Sequence, residues 1–171
     1  MSNSLSKIVN LRVNDFPIVL NDKLNESLLK HHSILKAGLF HRMFLKPPKD
    51  VDLFWSKNCV LKYIAPDSNK FNPKEINRIF PITDYKAGAD AMCGTTAYLF
   101  YKEESLIKFL FQIISNKYMA LVSLEDFEKK LIIILGKPLA SSNMKTWEVE
   151  EQILILEYPH KNGYIHLMFN Y

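Results

Sequence analysis

Trp147-Glu-Val-Glu-Glu-Gln-Ile-Leu-Ile-Leu-Glu-Tyr-Pro-His-Lys-Asn-Gly-Tyr-Ile-His-Leu-Met-Phe-Asn-Tyr171 is the stretch whose reading decides the fold. Two apolar-rich runs, 147–158 and 164–171, flank Pro159-His-Lys-Asn-Gly163, and Asn162-Gly163 supplies the positive φ that a tight hairpin requires. A tight connection forces the two runs to pair antiparallel. Along 164–171, Ile165, Leu167, Phe169 and Tyr171 share one face, and Tyr164, His166 and Met168 share the other. On the preceding run Leu154, Leu156 and Tyr158 oppose Ile153 and Ile155. A sheet apolar on both sides has to cover both, with its own segments or with a partner.

Upstream, Ser123-Leu-Glu-Asp126 is a capping box that opens a helix burying Leu124, Phe127, Leu131 and Ile134, and Gly136 followed by Pro138 stops it. Residues 95–101 and 106–115 read as strands, and Asn116-Lys117 turns the second into a strand at 118–122. Alternation puts Ile107, Phe109, Phe111 and Ile113 on one side and Lys108 and Gln112 on the other. Asn72-Pro73-Lys-Glu75 opens a short helix with Ile76, Ile79 and Phe80 on its apolar face, after a strand at 59–65. A longer helix is predicted from Asn21 to Gly38, with Leu24, Leu28, His31 and Leu35 on one face. Leu45-Lys-Pro-Pro-Lys-Asp-Val-Asp52 is turn chemistry, and 7–13 reads as a short strand or a docked arm. The class expected is α+β: one mostly antiparallel sheet of about five strands packed with two to four helices. The 171 residues form one domain in this reading, with a mainly helical or irregular part at 1–57 and an α+β sheet core at 58–171. The second sheet face is expected to be covered by the N-terminal helix and segment 39–57.

Composition excludes several function classes. With 48% hydrophobic residues and 12% aromatic, the chain has too much apolar content for disorder. Apolar runs such as 131–136 fall well short of the ~18–20 residues of a membrane span, and the first residues lack a signal-peptide core. Two cysteines, Cys59 and Cys93, do not make a disulfide framework. The expectation is a cytoplasmic protein with no membrane attachment. The five glycines, at 38, 88, 94, 136 and 163, match neither the dinucleotide fingerprint nor the P-loop, so no nucleotide cofactor is expected. The net charge of +4 is uneven, with 14 Lys/Arg against nine Asp/Glu in residues 1–100 and eight against nine thereafter. Only Arg12, Arg42 and Arg78 carry the planar fork that reads phosphate and guanine, which argues against nucleic acid as a partner.

Candidate chemistry is sparse. His31 and His32 project about 100° apart on a helix and do not share a metal readily, and His41 stands apart, so no metal is expected. Asp50 and Asp52 straddle Val51 as turn composition. The sharpest catalytic candidate is Cys93 in Gly88-Ala-Asp90-Ala-Met-Cys93-Gly-Thr-Thr96, with His166 as its base and Asp90, Asn170 or Glu157 orienting the imidazole. That cysteine-then-histidine order resembles papain-like and NlpC/P60-type peptidases, which implies a small cysteine-dependent hydrolase or transferase. Those families place a helix after the cysteine, whereas 95–101 reads here as a strand, so the residues favour a buried structural Cys93. Lys161-Asn-Gly-Tyr-Ile-His-Leu-Met-Phe169 resembles the aromatic strand of RNA-recognition folds, but lacks the small residue between its aromatics and reads better as hairpin core.

The strands suggest an interaction surface instead. Tyr158, His160, Tyr164, His166 and Met168 are the candidate partner-binding residues, being of types favoured in protein interfaces. The layout of a helix ending Leu-Gly-Lys-Pro, then Trp147 and a long hairpin, is similar to bacterial immunity proteins of contact-dependent toxins. The leading reading is a non-enzymatic protein-binding domain acting on another protein, such as a non-nuclease toxin, or on a second copy of itself. A nuclease inhibitor is expected to present acid to a basic active site, and this chain is basic.

Overall fold

The computed structural model describes residues 7–8, 10, 12–13, 16–17, 19–25, 34–56, 95–114, 124–158 and 164–170. In chain order the elements are β1 (Arg12–Val13), β2 (Phe16–Pro17), β3 (Ile34–Lys36), α1 (Leu39–Leu45), β4 (Asp52–Ser56), β5 (Thr95–Lys102), β6 (Ser105–Ile114), α2 (Leu124–Leu135), β7 (Leu139–Ser141), β8 (Met144–Val149), β9 (Gln152–Glu157) and β10 (Tyr164–Asn170). Strands β1 and β2 form a separate two-stranded ribbon.

The other eight strands make one sheet in the order β3-β4-β5-β6-β10-β9-β8-β7, and every neighbouring pair is antiparallel. Two four-stranded meanders, β3 to β6 and β7 to β10, therefore meet along β6 and β10. The seam is apolar: Phe109 lies opposite Phe169 and Phe111 opposite Leu167. The rings of Phe109, Phe111 and Phe169 sit 5.4–6.1 Å apart in tilted and edge-on arrangements, the geometry aromatic quadrupoles prefer. Leu154, Leu156 and Leu167 are fully buried beside them.

Helix α2 covers this face over the C-terminal meander. It turns Phe127 and Leu131 inward, and the sheet holds it at three points. The Trp147 indole donates to the Gly136 carbonyl at 2.8 Å, which satisfies one of the orphan acceptors at the helix end. Lys145, on the same side of β8 as Trp147, forms a salt bridge with Glu128, and the Tyr158 hydroxyl donates to Glu128 at 2.9 Å. Gly136 takes φ +83, the left-handed stop that its position before Pro138 predicts.

The opposite face carries a second core of Ala37, Val51, Leu53, Tyr98, Phe100 and Leu110, with Leu45, Trp55, Ile107 and Met168 packed against it. Helix α1 contributes Leu45 to this core, so part of segment 39–57 covers the second face over β4 and β5.

The expectation of about five strands with two to four helices is overturned. The sheet has eight strands, and the described residues contain two helices. Part of the difference is a run read as one strand: 147–158 breaks at Glu150, φ +57, into β8 and β9. Strands β3, β4 and β7 add the rest. The helix predicted from Asn21 to Gly38 is not present where it is described. The Asn21 amide donates to the Leu106 carbonyl, the Leu106 amide to Asp22, and the Leu24 amide to Glu104, so 21–24 is committed to the β5–β6 hairpin. Residues 34–36 pair with β4 as β3, and Gly38 precedes α1 as its N-cap rather than ending a helix. These tertiary backbone pairings outweigh a local helical pattern.

A single-residue irregularity corrects one facing assignment. The β5–β6 register shifts between Phe100 and Tyr101, so Phe100 faces Lys108 while Tyr101 faces Leu106. That bulge takes Ile107 out of line with Phe109 and Phe111 and into the second core. Ile134 is also exposed rather than buried. The strands predicted at 59–65 and 118–122, the helix beginning at Asn72, and Cys59 lie outside the described residues.

Candidate functional site

The residues proposed for cysteine chemistry are only partly placed. Cys93 and Asp90 lie outside the described residues. His166 stands on β10 between Gln112 of β6 and Glu157 of β9 in register, and Asn170 stands on β10 opposite Lys108 and Ile153. Among the described residues no group of three or more His, Cys, Asp or Glu is arranged to hold a metal ion.

Of the proposed partner-binding residues, Tyr158 and Met168 have described side chains, and these lie on opposite faces. Tyr158 points to the α2 side, where it bonds Glu128 and its ring lies 5.9 Å from the Lys145 ammonium. Burial, then the Glu128 carboxylate, pushes its phenol well above the ordinary range. Lys145 and then Tyr158 hold the Glu128 carboxyl below its usual value against the opposing effect of burial. Met168 lies on the other face, packed on the second core. Tyr164 occupies β10 opposite Ile114, and His160 lies outside the described residues. Tyr158 and Met168 therefore do not form one patch.

Among the described residues the largest exposed apolar group in one element belongs to α1, Leu39-Phe-His-Arg-Met-Phe-Leu45. At about 100° per residue, Leu39, Met43, Phe40 and Phe44 occupy one arc of the helix, while His41, Leu45 and Arg42 occupy the rest. The apolar arc faces solvent: Leu39 is 73% exposed, Phe40 84%, Met43 64% and Phe44 69%. Together these four side chains present on the order of 500 Å² of accessible surface, at the upper end of what a typical monomer shows in its largest apolar patch.

The inward arc explains why the helix does not simply roll over. The His41 ring stacks on Trp55 with centroids 4.9 Å apart and interplanar angle 23°, and lies 6.0 Å from Tyr98. Arg42 donates to the Val51 carbonyl at 3.4 Å and approaches Asp52 at 3.9 Å. Leu45 packs on the second core. Lys46 closes the helix in the left-handed region, φ 45, with its amide donating to Arg42, and Pro47 and Pro48 follow. The helix is thus pinned with its apolar side out.

Charge surrounds this knuckle unevenly. Asp52 is engaged by Lys36 at 3.5 Å as well as by Arg42, and Asp50 by Lys102 at 3.0 Å, a contact that lowers the Asp50 pKa. Lys46 and Lys49 are exposed and form no salt bridge among the described residues.

Sequence reasoning passed over this arc because it placed 39–57 as cover for the sheet. The signal was present in the spacing: apolar residues at i, i+1, i+4 and i+5, with His and Arg between them, just before a Pro-Pro stop.

No family model, curated protein or solved structure matches the chain. Among the described residues no helix is long and apolar enough to cross a membrane.

Proposed function

We propose that this chain is a non-enzymatic protein-binding domain whose docking face is the outward arc of α1, acting as an inhibitor of the immunity type against a non-nuclease toxin. The observation that carries the docking reading is the inverted helix: Leu39, Phe40, Met43 and Phe44 stand in solvent while His41 and Arg42 are held against the sheet. A helix stabilised by its own fold turns its apolar arc inward. Exposed aromatic and methionine side chains on a pinned element are the composition of an interface core. The basic surroundings support a target other than a nuclease, whose own active site is basic. The proposal includes a cytoplasmic site of action, where Cys59 and Cys93 stay reduced.

The test is affinity capture from an extract of the host cell with the wild-type chain and with a Phe40→Asp/Phe44→Asp variant. The expected result is a stoichiometric protein partner held by the wild type and lost by the variant, with both chains giving the same circular dichroism spectrum. A partner held equally by both chains, or none held by the wild type, overturns the reading.

A further inference from the structure

We propose that the partner of α1 presents an acidic surface: an apolar pocket bordered by carboxylates that meet Lys46 and Lys49. This rests on the reading of α1 as a docking face. The apolar arc of roughly 500 Å² is smaller than the ~800 Å² that each side of a specific protein complex buries, so a stable contact has to extend onto the rim. The rim is mostly cationic. Between residues 36 and 52 the charged side chains are Lys36, Arg42, Lys46 and Lys49 against Asp50 and Asp52. Both carboxylates already have cations within 3.0–3.9 Å. Among the described residues of this stretch, the charges without an ion pair are the exposed ammonium groups of Lys46, at the helix end, and Lys49, just beyond Pro47-Pro48.

Two other occupants fit less well. A second copy brings to this face only further lysines and the carboxylates of Asp50 and Asp52, which already have cations within 3.0–3.9 Å, so Lys46 and Lys49 gain no new partner there. An anionic lipid surface attracts the lysines but meets Asp50 and Asp52 on the same rim, and a seven-residue helix offers little apolar area to insert. A carboxylate-bordered protein pocket accepts the phenylalanines, pairs the two lysines and leaves the Asp50 and Asp52 ion pairs in place.

The proposal is tested with two synthetic amphipathic helical peptides, one built from Leu, Phe and Glu and the other with every Glu replaced by Lys. Titrations are followed through the amide resonances of residues 38–49. The acidic peptide is expected to bind at least ~10-fold more tightly than the basic one, to shift those resonances, and to weaken as salt is raised. In a Lys46→Glu/Lys49→Glu variant the preference is expected to reverse. Should that variant not fold, the salt dependence of the wild type carries the same test. Equal binding of the two peptides, or binding of neither, overturns the acidic partner while leaving the docking reading to the capture experiment. Binding to phosphatidylglycerol-containing vesicles in place of the acidic peptide overturns it in favour of a membrane. A dimer in sedimentation equilibrium that Phe40→Asp dissociates overturns it in favour of a second copy.

Discussion

Helix α2 turns Phe127 and Leu131 onto the sheet and leaves Lys129 in solvent, whereas α1 turns His41 and Arg42 onto the sheet and leaves Phe40 and Phe44 in solvent. Both helices are anchored by polar contacts: α2 through Glu128 to Lys145 and Tyr158, α1 through Arg42 to Val51 and Asp52. Anchoring is therefore common to the two, and the direction of the apolar arc separates them. In α2 apolar burial stabilises the fold. In α1 the same type of side chain stands in solvent and contributes little to the stability of the isolated chain.

The comparison is broken most directly at Leu131, which is fully buried beneath α2. Leu131→Ala is expected to cost ~2–5 kcal/mol of unfolding free energy, read from the denaturant midpoint at unchanged slope, because transfer and cavity terms add. A loss within the range of surface substitutions would mean that α2 is not the stabilising helix.

A smaller effect is expected at Glu128. Its carboxyl is held below the ordinary value of 4.5 chiefly by the hydrogen bond from Lys145, so the folded chain stays ionised to lower pH than the unfolded one. The resulting stability is fully present above the ordinary value and is lost as pH falls through the lowered one. Glu128→Gln is expected to lower stability at neutral pH by about 1 kcal/mol and to flatten the acid limb of a stability-against-pH curve. An acid limb unchanged in the variant would remove Glu128 from the account of how α2 is held.

The smallest effect sharpens the contrast. Phe40→Ser and Phe44→Ser are expected to leave the unfolding free energy within about 0.5 kcal/mol of wild type, as surface substitutions do. A loss of ~2 kcal/mol or more would mean that these rings are buried in the free chain.

Particular residues show how far the sequence could be read. The capping box at 123–126 and the Gly136-Pro138 stop located α2 to within a residue or two, because helix ends depend on local hydrogen bonds and φ. Leu154 with Leu156, and Leu167 with Phe169, were each legible as sharing a face of their own strand, since strand alternation needs only the period of the pleat; the register of β9 on β10 puts the two pairs together. Ile107 was not, because the bulge that redirects it depends on which residue of β5 stands opposite. The described ends of the stretch, 21–25 and 34–38, were misread because their backbone partners, Leu106, Glu104 and β4, are distant in sequence. The outward apolar arc of α1 escaped for a related reason. An apolar arc at helical spacing is the same string whether it points in or out, and only the stacking of His41 on Trp55 and the reach of Arg42 to Val51 settle which.

By itself the sequence determined what local chemistry controls: the antiparallel hairpin of the last two strands, the limits of α2, the alternation that places Leu167 and Phe169 together, and the lack of nucleotide-cradling glycine motifs. Tertiary structure alone decided that two meanders join along β6 and β10 into eight strands, that Tyr158 and Met168 part to opposite faces, and that α1 wears its apolar side outward. Hydrogen bonds and φ preferences act over a few residues and can be read in order along the chain. The orientation of a face depends on free-energy differences between contacts that form only once distant segments have met.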